Sequence, residues 1–168
     1  MRVTLVFVAE PEEVGFPVWT APLTTPLLAT CLVMAGHEVE LIDTRTCPAE
    51  EIAAATGDVV AISFMSHSRD EAFEVAALCR AEGRTVVAGG PHPTVLPHDV
   101  VGSGLFDFVV RGEGERALVA LADDLARGVQ PEQVIEGQPF DMADYPVLLE
   151  FPAYAEVHRS SSNVTAPT

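Results

Sequence analysis

The sequence predicts an α/β fold: a doubly wound, flavodoxin- or Rossmann-like parallel sheet of five strands with helices on both faces. Three observations lead to it. Short runs rich in valine recur along the chain, as is typical of strands buried on both faces. Segments with helical periodicity separate these runs, and that alternation implies βαβ units with right-handed crossovers. The 168 residues, 48% of them hydrophobic, are enough for one core but too few for two comfortable domains.

The strands are predicted from runs of apolar and β-branched residues. The first run begins almost at the amino terminus, the second alternates between apolar and polar residues, and the third is apolar throughout. The fourth is a short run that ends in two glycines, and the fifth combines phenylalanine with valine. We therefore expect strands at residues 2–8, 37–42, 58–63, 84–88 and 106–110.

The helices are predicted from periodicity and from end signals. Gly36 and Gly128 are natural left-handed stops for the first and last helices. The second helix carries acidic residues in its first turn, where the helix dipole favours them. Apolar residues between 72 and 79 fall on one face of the third. We expect helices at residues 27–35, 48–56, 69–82 and 115–127, a short helix or turn at 97–101, and a polar loop at 9–26.

The chain changes character beyond Gly137. Prolines stand at positions 139, 146, 152 and 167, and a polar run of serines and asparagine occupies 160–163. This composition is typical of a linker that lies across a surface. We expect one binding domain at residues 1–137 and a proline- and serine-rich linker or tail at 138–168.

The charge and the cysteines restrict the class of protein. The chain carries 25 acidic residues against nine basic ones, a formal charge of −16, which repels phosphate backbones and excludes nucleic acid as a partner. Its longest apolar stretches are strand-sized, too short to span a membrane, and its start lacks the layout of a signal peptide. Three widely spaced cysteines indicate reduced thiols, so we expect a cytoplasmic protein.

Two glycine-rich loops predict a ligand site. Gly89 and Gly90 follow the fourth strand, and Gly112 and Gly114 follow the fifth. Glycines at such points let another molecule approach the backbone. In an open α/β sheet, ligands bind beyond the carboxyl ends of the strands. The loop after the first strand, with Glu10 and Glu12, and the loop at 63–68 are expected at the same edge.

Serines and histidines in these loops have both structural and functional interpretations. Ser66 or Ser68 is suited to cap the helix that follows, whereas Ser63, inside the strand end, is better explained by a ligand. His67, His92 and His98 lack the spacing of a zinc site, so no protein metal ligand is predicted. His92 lies between two prolines and is the histidine best placed to contact a ligand.

The residues give little support to a nucleophilic, a phosphate-binding or an acid/base active site. The chain has no nucleophile elbow, no Gly-x-x-x-x-Gly-Lys loop and no lysine, and the glutamates around Gly114 would repel a pyrophosphate. Glu10, Glu12 and Asp43 form a conceivable acid/base group, but solvated loop carboxylates explain them better. No catalytic residue is predicted.

Five stretches of the chain carry a resemblance to a known family: MRVTLVFV, PLTTPLLATCLVMAGHEVELIDT, DVVAISFMSHS, VVAGGPHPTVLP and FDFVVRGEGERALVAL. In this order and spacing, over residues 1–127, they resemble the amino-terminal cobalamin-binding domain of cobalamin-dependent radical S-adenosylmethionine enzymes. The resemblance implies the doubly wound fold, with cobalamin over the carboxyl ends of the strands and its nucleotide tail running into the domain.

The resemblance also implies where the cofactor lies. Ser63, Ser66 and the two glycines after the fourth strand are expected to line the nucleotide tail. The loops at 91–94 and 112–115 are expected near the corrin. The expected cofactor-binding residues are Glu10, Glu12, Ser63, Met65, Ser66, His67, Gly89, Gly90, Pro91, His92, Pro93, Gly112, Glu113 and Gly114.

Two departures from the family shape the functional expectation. The best-known cobalamin domains carry Asp-x-His-x-x-Gly after the first strand, whose histidine ligates cobalt. Residues 10–15 of this chain hold no histidine, so the resemblance implies a corrinoid without a lower-face histidine. His67 or His92 as a replacement ligand is the less favoured alternative. The three cysteines also cannot form the Cys-x-x-x-Cys-x-x-Cys motif of an iron–sulfur cluster.

We therefore expect a cobalamin-binding domain or subunit that is not catalytic alone. It would hold methylcobalamin or hydroxocobalamin for methyl transfer or related chemistry, while the 4Fe–4S cluster and S-adenosylmethionine belong to a radical domain or partner outside this chain. One alternative is a small α/β enzyme that uses Glu12, Asp43 or His92 as acid or base. Another is a receiver-like interaction domain, against which the missing lysine argues.

Overall fold

One parallel sheet of six strands forms the centre of the protein, in the order β2-β1-β3-β4-β5-β6. The structure is a computed structural model that describes residues 1–9, 23–54, 57–139 and 146. The strands are β1 (Arg2–Phe7), β2 (Glu38–Asp43), β3 (Val59–Ser63), β4 (Thr85–Gly89), β5 (Phe108–Arg111) and β6 (Val134–Glu136). The helices are α1 (Thr24–Met34), α2 (Ala49–Ala53), α3 (Arg69–Ala81), α4 (Pro91–Val95), α5 (Pro97–Ser103) and α6 (Gly114–Ala126).

The predicted fold class is confirmed, and the strand count is corrected. The first five strands have the flavodoxin-like order 2-1-3-4-5, and a sixth, β6, pairs in parallel with β5 through Val109–Val134 and Arg111–Glu136. The prediction missed β6 because it is an edge strand of three half-exposed or exposed residues. A run that short does not produce a strand-like pattern in the sequence.

Helix α4 is a second correction. The residues after Gly90 were expected to form a stiffened loop, but Pro91–Val95 is a short helix with proline at its first position. Proline is tolerated there because the first turn of a helix leaves its N–H groups without helical partners anyway.

Each face of the sheet buries a separate core. On one face, Val6, Ile62 and Ala88 pack against α2, α3 and α5; on the other, Leu5 and Val87 pack against α1 and α6. This alternation follows from the period of two along a strand. It confirms helices on both faces of the sheet.

The carboxyl ends of the central strands lie level with one another. Phe7 is paired with Ser63, and Ser63 is paired with Gly89. Beyond these pairs, the Val8 N–H donates to the Ser63 carbonyl at 3.0 Å and the Phe64 N–H donates to the Gly89 carbonyl at 3.2 Å. The loops after β1, β3 and β4 therefore leave the sheet side by side.

Some expectations fall on residues that the structure does not describe. Glu10 and Glu12 lie in such a stretch, as does most of the predicted tail at 138–168. The domain boundary at 137 therefore stays a prediction. Within the described ranges, every helix is too short or too polar to cross a bilayer.

Candidate functional site

Gly89 and Gly90 are glycines for different reasons. Gly90 has φ +99° and ψ −172°, a conformation that is essentially restricted to glycine. A Cβ atom on Gly90 would lie 2.9 Å from the Phe64 carbonyl oxygen and 3.0 Å from Ser63 Oγ. A Cβ atom on Gly89 would meet no heavy atom within 4 Å. The fold itself requires Gly90, whereas Gly89 leaves open space at the end of β4.

Ser63 adds a hydroxyl to this edge. Its Oγ lies against Gly90, and the residue is half-buried. Its hydroxyl makes no hydrogen bond to another residue in the described part of the chain. A hydroxyl in that state can both donate to and accept from a ligand.

The two serines in the loop after β3 differ in their surroundings, because Ser68 is buried and Ser66 is exposed. Ser68 stands directly before α3 and is buried, but its hydroxyl does not cap that helix. It accepts from the Met65 N–H at 3.4 Å and lies 3.5 Å from the Val8 carbonyl, where it closes the short 3-10 turn at Ser66–Ser68. Met65, Ser66 and His67 are exposed at the top of this turn.

His92 is buried at the centre of a hydrogen-bonded chain. Its Nδ1 lies 3.0 Å from Ser66 Oγ and its Nε2 lies 3.1 Å from Asp99 Oδ2. The ring is only 3% exposed and stacks on Phe64, with centroids 5.4 Å apart. Its backbone N–H also donates to the Phe64 carbonyl at 3.3 Å. Both ring nitrogens are therefore already occupied.

Arg69 holds the far end of this chain. Its Nε donates to Asp99 Oδ2 at 2.6 Å and its Nη2 donates to Asp99 Oδ1 at 3.0 Å. The Arg69 hydrogen bonds, followed by that from His92, lower the pKa of Asp99 to about 2. The guanidinium carbon lies 4.0 Å from the centre of the Phe73 ring. Asp99 is thus a fixed, ionised acceptor.

Thr94 connects the glycine loops that follow β4 and β5. Its hydroxyl donates to the Gly90 carbonyl at 2.9 Å and accepts from the Gly112 N–H at 3.0 Å. The Arg111 Nε donates to the Thr94 carbonyl at 3.3 Å. Gly112 has φ +75°, which favours glycine. One side chain in α4 therefore determines how the two loops sit together.

The remaining glycine of the β5 loop has a packing role. A Cβ atom on Gly114 would lie 3.1 Å from Leu28 Cδ2, so glycine lets the start of α6 approach α1 closely. Glu113 is exposed just before α6. Pro91 is exposed and Pro93 is buried in α4, so the two prolines do not share one surface.

Among the described residues, the acid/base candidates Asp43 and His92 are not brought together, and Glu10 and Glu12 lie outside those residues. Asp43 is fully buried at the end of β2, where Arg45 Nε donates to its Oδ1 at 2.8 Å. Three strand spacings separate β2 from β4, which carries His92 beyond its end, or about 14 Å. Asp43 and His92 each have their own partner and do not form a pair. Among the described residues, no three His, Cys, Asp or Glu side chains cluster as a metal site.

Sequence reasoning missed several residues of the site. Arg69, Asp99 and Thr94 were not among the expected binding residues, although Thr94 lies in the loop expected near the corrin. Asp99 had one weak signal, its position seven residues after His92, in the short helix that follows α4. Its partnership with Arg69 spans 30 residues and has no local pattern.

Comparison with known proteins identifies the family. The sequence model of the B12 binding domain matches residues 16–122, which is most of the chain and includes the loops described above. This chain belongs to the B12 binding domain family. The membership confirms the resemblance to cobalamin-binding domains.

Curated relatives of this B12 binding domain are methyltransferases by name. The chain is 31% identical over 147 residues to an uncharacterised methyltransferase of Synechocystis sp., covering 85% of this chain and 27% of the relative. It is 32% identical over 107 residues to the bacteriochlorophyllide d C-12(1)-methyltransferase of Chlorobaculum tepidum, covering 64% and 23%. The chain thus spans about a quarter of the length of these relatives.

Solved structures show the same fold. Two structures of the radical S-adenosylmethionine methyltransferase TsrM from Kitasatospora setae each match with a TM-score of 0.63. One, with tryptophan and aza-SAM bound, is 23% identical and covers 87% of this chain and 28% of that chain. The other, with cobalamin and a 4Fe–4S cluster bound, is 24% identical and covers 86% and 26%. At these identities the likeness concerns the fold.

Proposed function

We propose that this chain holds a corrinoid at the carboxyl edge of its sheet, as the cobalamin-binding part of a methyl-transferring enzyme. The observation that carries the proposal is the B12 binding domain match, which spans the loops after β3, β4 and β5. When bound, cobalamin supplies a cobalt centre that carries the methyl group. The chain's own residues bind and orient the cofactor, and we assign no catalytic residue to it.

The residues at the end of β3 and β4 suit a bulky nucleotide tail. Gly89 leaves the space that a side chain would otherwise fill, and Ser63 offers a hydroxyl with no other described partner. Ser66 is exposed beside them. A tail with polar edges needs both close backbone approach and hydrogen-bonding groups. We propose that these residues, together with Met65 and the exposed part of α4, line the cofactor.

We also propose that His92 does not ligate cobalt. Both of its ring nitrogens are in hydrogen bonds, and the ring is packed on Phe64. To reach a metal it would have to leave both partners and its buried site. Residues 10–15, where the family's ligand would stand, contain no histidine. The corrinoid would then be bound without a lower-face histidine ligand from residues 10–15 and without His92 as a ligand.

The reactive half of the enzyme is proposed to lie outside this chain. The relatives are about four times longer than the matched segment and are named methyltransferases. TsrM is described as a radical S-adenosylmethionine enzyme with a 4Fe–4S cluster. The three cysteines of this chain do not have the spacing of a cluster motif. A radical domain or subunit would supply the cluster, S-adenosylmethionine and the final substrate site.

The test is corrinoid retention by the purified chain. The protein is mixed with hydroxocobalamin, excess is removed by gel filtration, and the visible spectrum is recorded. We expect about one equivalent of corrin absorption to remain, as a one-site domain requires. A protein that elutes colourless at saturating hydroxocobalamin would contradict the proposal.

Two glycine-to-leucine variants, one at Gly89 and one at Gly102, test where the cofactor binds. Gly89→Leu should weaken hydroxocobalamin binding by at least about tenfold, because the side chain would occupy the space left for the cofactor. Gly102 is exposed in α5, and a Cβ atom there would also meet nothing within 4 Å. Gly102→Leu should leave binding unchanged. Equal affinity of the two variants would contradict the location of the site.

A further inference from the structure

A series of hydrogen bonds joins four side chains, and the donor and the acceptor of each bond can be assigned. The four are Ser66, His92, Asp99 and Arg69. Asp99 accepts two hydrogen bonds from Arg69 and lies 3.1 Å from His92 Nε2. An ionised carboxylate can only accept hydrogen bonds. The hydrogen between Asp99 and His92 must therefore belong to the imidazole, on Nε2.

That proton determines the role of the other ring nitrogen. In the neutral imidazole, a hydrogen on Nε2 leaves Nδ1 as an acceptor. The Ser66 hydroxyl, 3.0 Å from Nδ1, must then donate its only hydrogen to His92. Only the lone pairs of Ser66 Oγ remain for a molecule at the exposed side of the loop.

We propose that Asp99, held by Arg69, is a positioning residue that acts through His92 and makes Ser66 an acceptor-only group at the ligand edge. The subsite at Ser66 would then take a hydrogen-bond donor of the ligand, an amide N–H or a hydroxyl. This inference rests on the proposed function for the ligand's identity as a corrinoid, whose amide side chains and ribose carry such donors. Ser63, with its own hydrogen uncommitted, provides the contrasting subsite for an acceptor.

Burial keeps this arrangement in place. His92 is only 3% exposed and is stacked on Phe64, so its ring cannot turn over without breaking that packing. Arg69 is stacked on Phe73 at the other end. The donor and acceptor roles are therefore determined by residues that do not themselves contact the ligand.

The first experiment measures the His92 tautomer without any ligand. Long-range ¹⁵N NMR of the imidazole at pH 8 should show hydrogen on Nε2 in the native chain. Asp99→Ala removes the acceptor that faces both Arg69 Nε and His92 Nε2, so the preference for hydrogen on Nε2 should be lost. Asp70→Ala is the matched control, because Asp70 also accepts a hydrogen bond from Arg69, at 2.9 Å, but is not a hydrogen-bond partner of His92. A native ring protonated on Nδ1, or on both nitrogens, would overturn the proposal.

The second experiment measures hydroxocobalamin affinity. Asp99→Ala and Ser66→Ala should each weaken binding, by up to about tenfold, the loss of one hydrogen bond to the ligand. The double variant should bind no more weakly than Ser66→Ala alone, whereas additive losses would overturn action through Ser66. Asp70→Ala should bind normally. Ser66 is exposed, so Ser66→Ala keeps the test valid if Asp99→Ala folds poorly.

The two experiments separate the inference from the proposed function. A native chain that retains no hydroxocobalamin contradicts the proposed function, while the NMR experiment still decides the tautomer. A chain that binds hydroxocobalamin with unchanged affinity in Ser66→Ala overturns the donor subsite and leaves the proposed function intact.

Discussion

The adjacent glycines at the end of β4 should respond very differently to the same substitution. Gly90→Ala places a methyl group 2.9 Å from the Phe64 carbonyl oxygen and 3.0 Å from its nitrogen, both backbone atoms of a buried residue. It also puts a side chain at φ +99°, ψ −172°, which costs about 1–3 kcal/mol. Overpacking against an immobile neighbour adds about 1–3 kcal/mol. The free energy of unfolding should fall by about 2–6 kcal/mol.

Gly89→Ala is the internal comparison. Its methyl group would enter open space, and alanine reduces the conformational freedom of the unfolded chain. The free energy of unfolding should therefore change by less than about 1 kcal/mol, in either direction. Urea titrations followed by circular dichroism measure both variants against the native chain, with the slopes compared to check two-state behaviour.

Two results of these titrations would contradict the reasoning about Gly89 and Gly90. If the free energies of unfolding of Gly90→Ala and Gly89→Ala both lie within about 1 kcal/mol of the native value, the close approach of Gly90 to Phe64 is wrong, and with it the geometry of the loop. A Gly89→Ala variant as unstable as Gly90→Ala would show that the space beyond β4 is filled by the protein itself. It would remove the steric basis for a ligand there.

Three further predictions concern the same edge. Thr94→Val keeps the shape of the side chain but removes the acceptor of the exposed Gly112 N–H, so the free energy of unfolding should fall by about 0.5–1.5 kcal/mol in the same urea assay. The pKa of Asp99 is about 2 in the folded chain, below its unfolded value, so its stabilisation is fully present above about pH 5 and is lost as the pH falls through about 2. Because the carboxylate is 38% exposed, Asp99→Asn should remove only about 1 kcal/mol of this acid-dependent stability. His67→Ala should leave the visible bands of bound hydroxocobalamin unchanged, and a shift of those bands would identify His67 as a cobalt ligand.

The sequence predicts the layers of this fold well because periodicity reports burial. Valine-rich runs predict strands buried on both faces, and their spacing predicts the crossovers. It fails at β6, where three residues at the sheet edge are held by pairing with β5 and carry no strand-like pattern of their own. It also fails at α4, where two prolines within five residues indicate a loop and only tertiary contacts make a helix.

The site is predicted in its location but not in its internal connections. Glycines after β4 and β5 indicate the edge correctly, yet the sequence cannot tell that Gly90 accommodates the protein's own backbone while Gly89 leaves open space. His92 was chosen for its position between prolines, not for its burial. Its partners Ser66 and Asp99 lie 26 residues before it and seven residues after it. Such separations leave no local pattern in the sequence.

Helix α4 connects the ligand-facing loops, although it is too short to be stable by itself. Five residues make almost no internal hydrogen bonds, so α4 depends on its contacts. His92 joins it to the loop after β3, and Thr94 joins it to the loops after β4 and β5. Substitutions that release α4 should therefore displace all three loops together.

This dependence predicts how stability and binding are coupled. His92→Leu removes both ring hydrogen bonds and the stacking on Phe64, so we expect the free energy of unfolding and the affinity for hydroxocobalamin to fall together. Gly89→Leu should lower affinity while leaving stability nearly unchanged, because no part of α4 contacts its Cβ position. Urea midpoints and binding titrations on the same preparations measure both quantities. If His92→Leu bound hydroxocobalamin normally despite a clear loss of stability, the ligand-facing loops would be positioned by something other than α4.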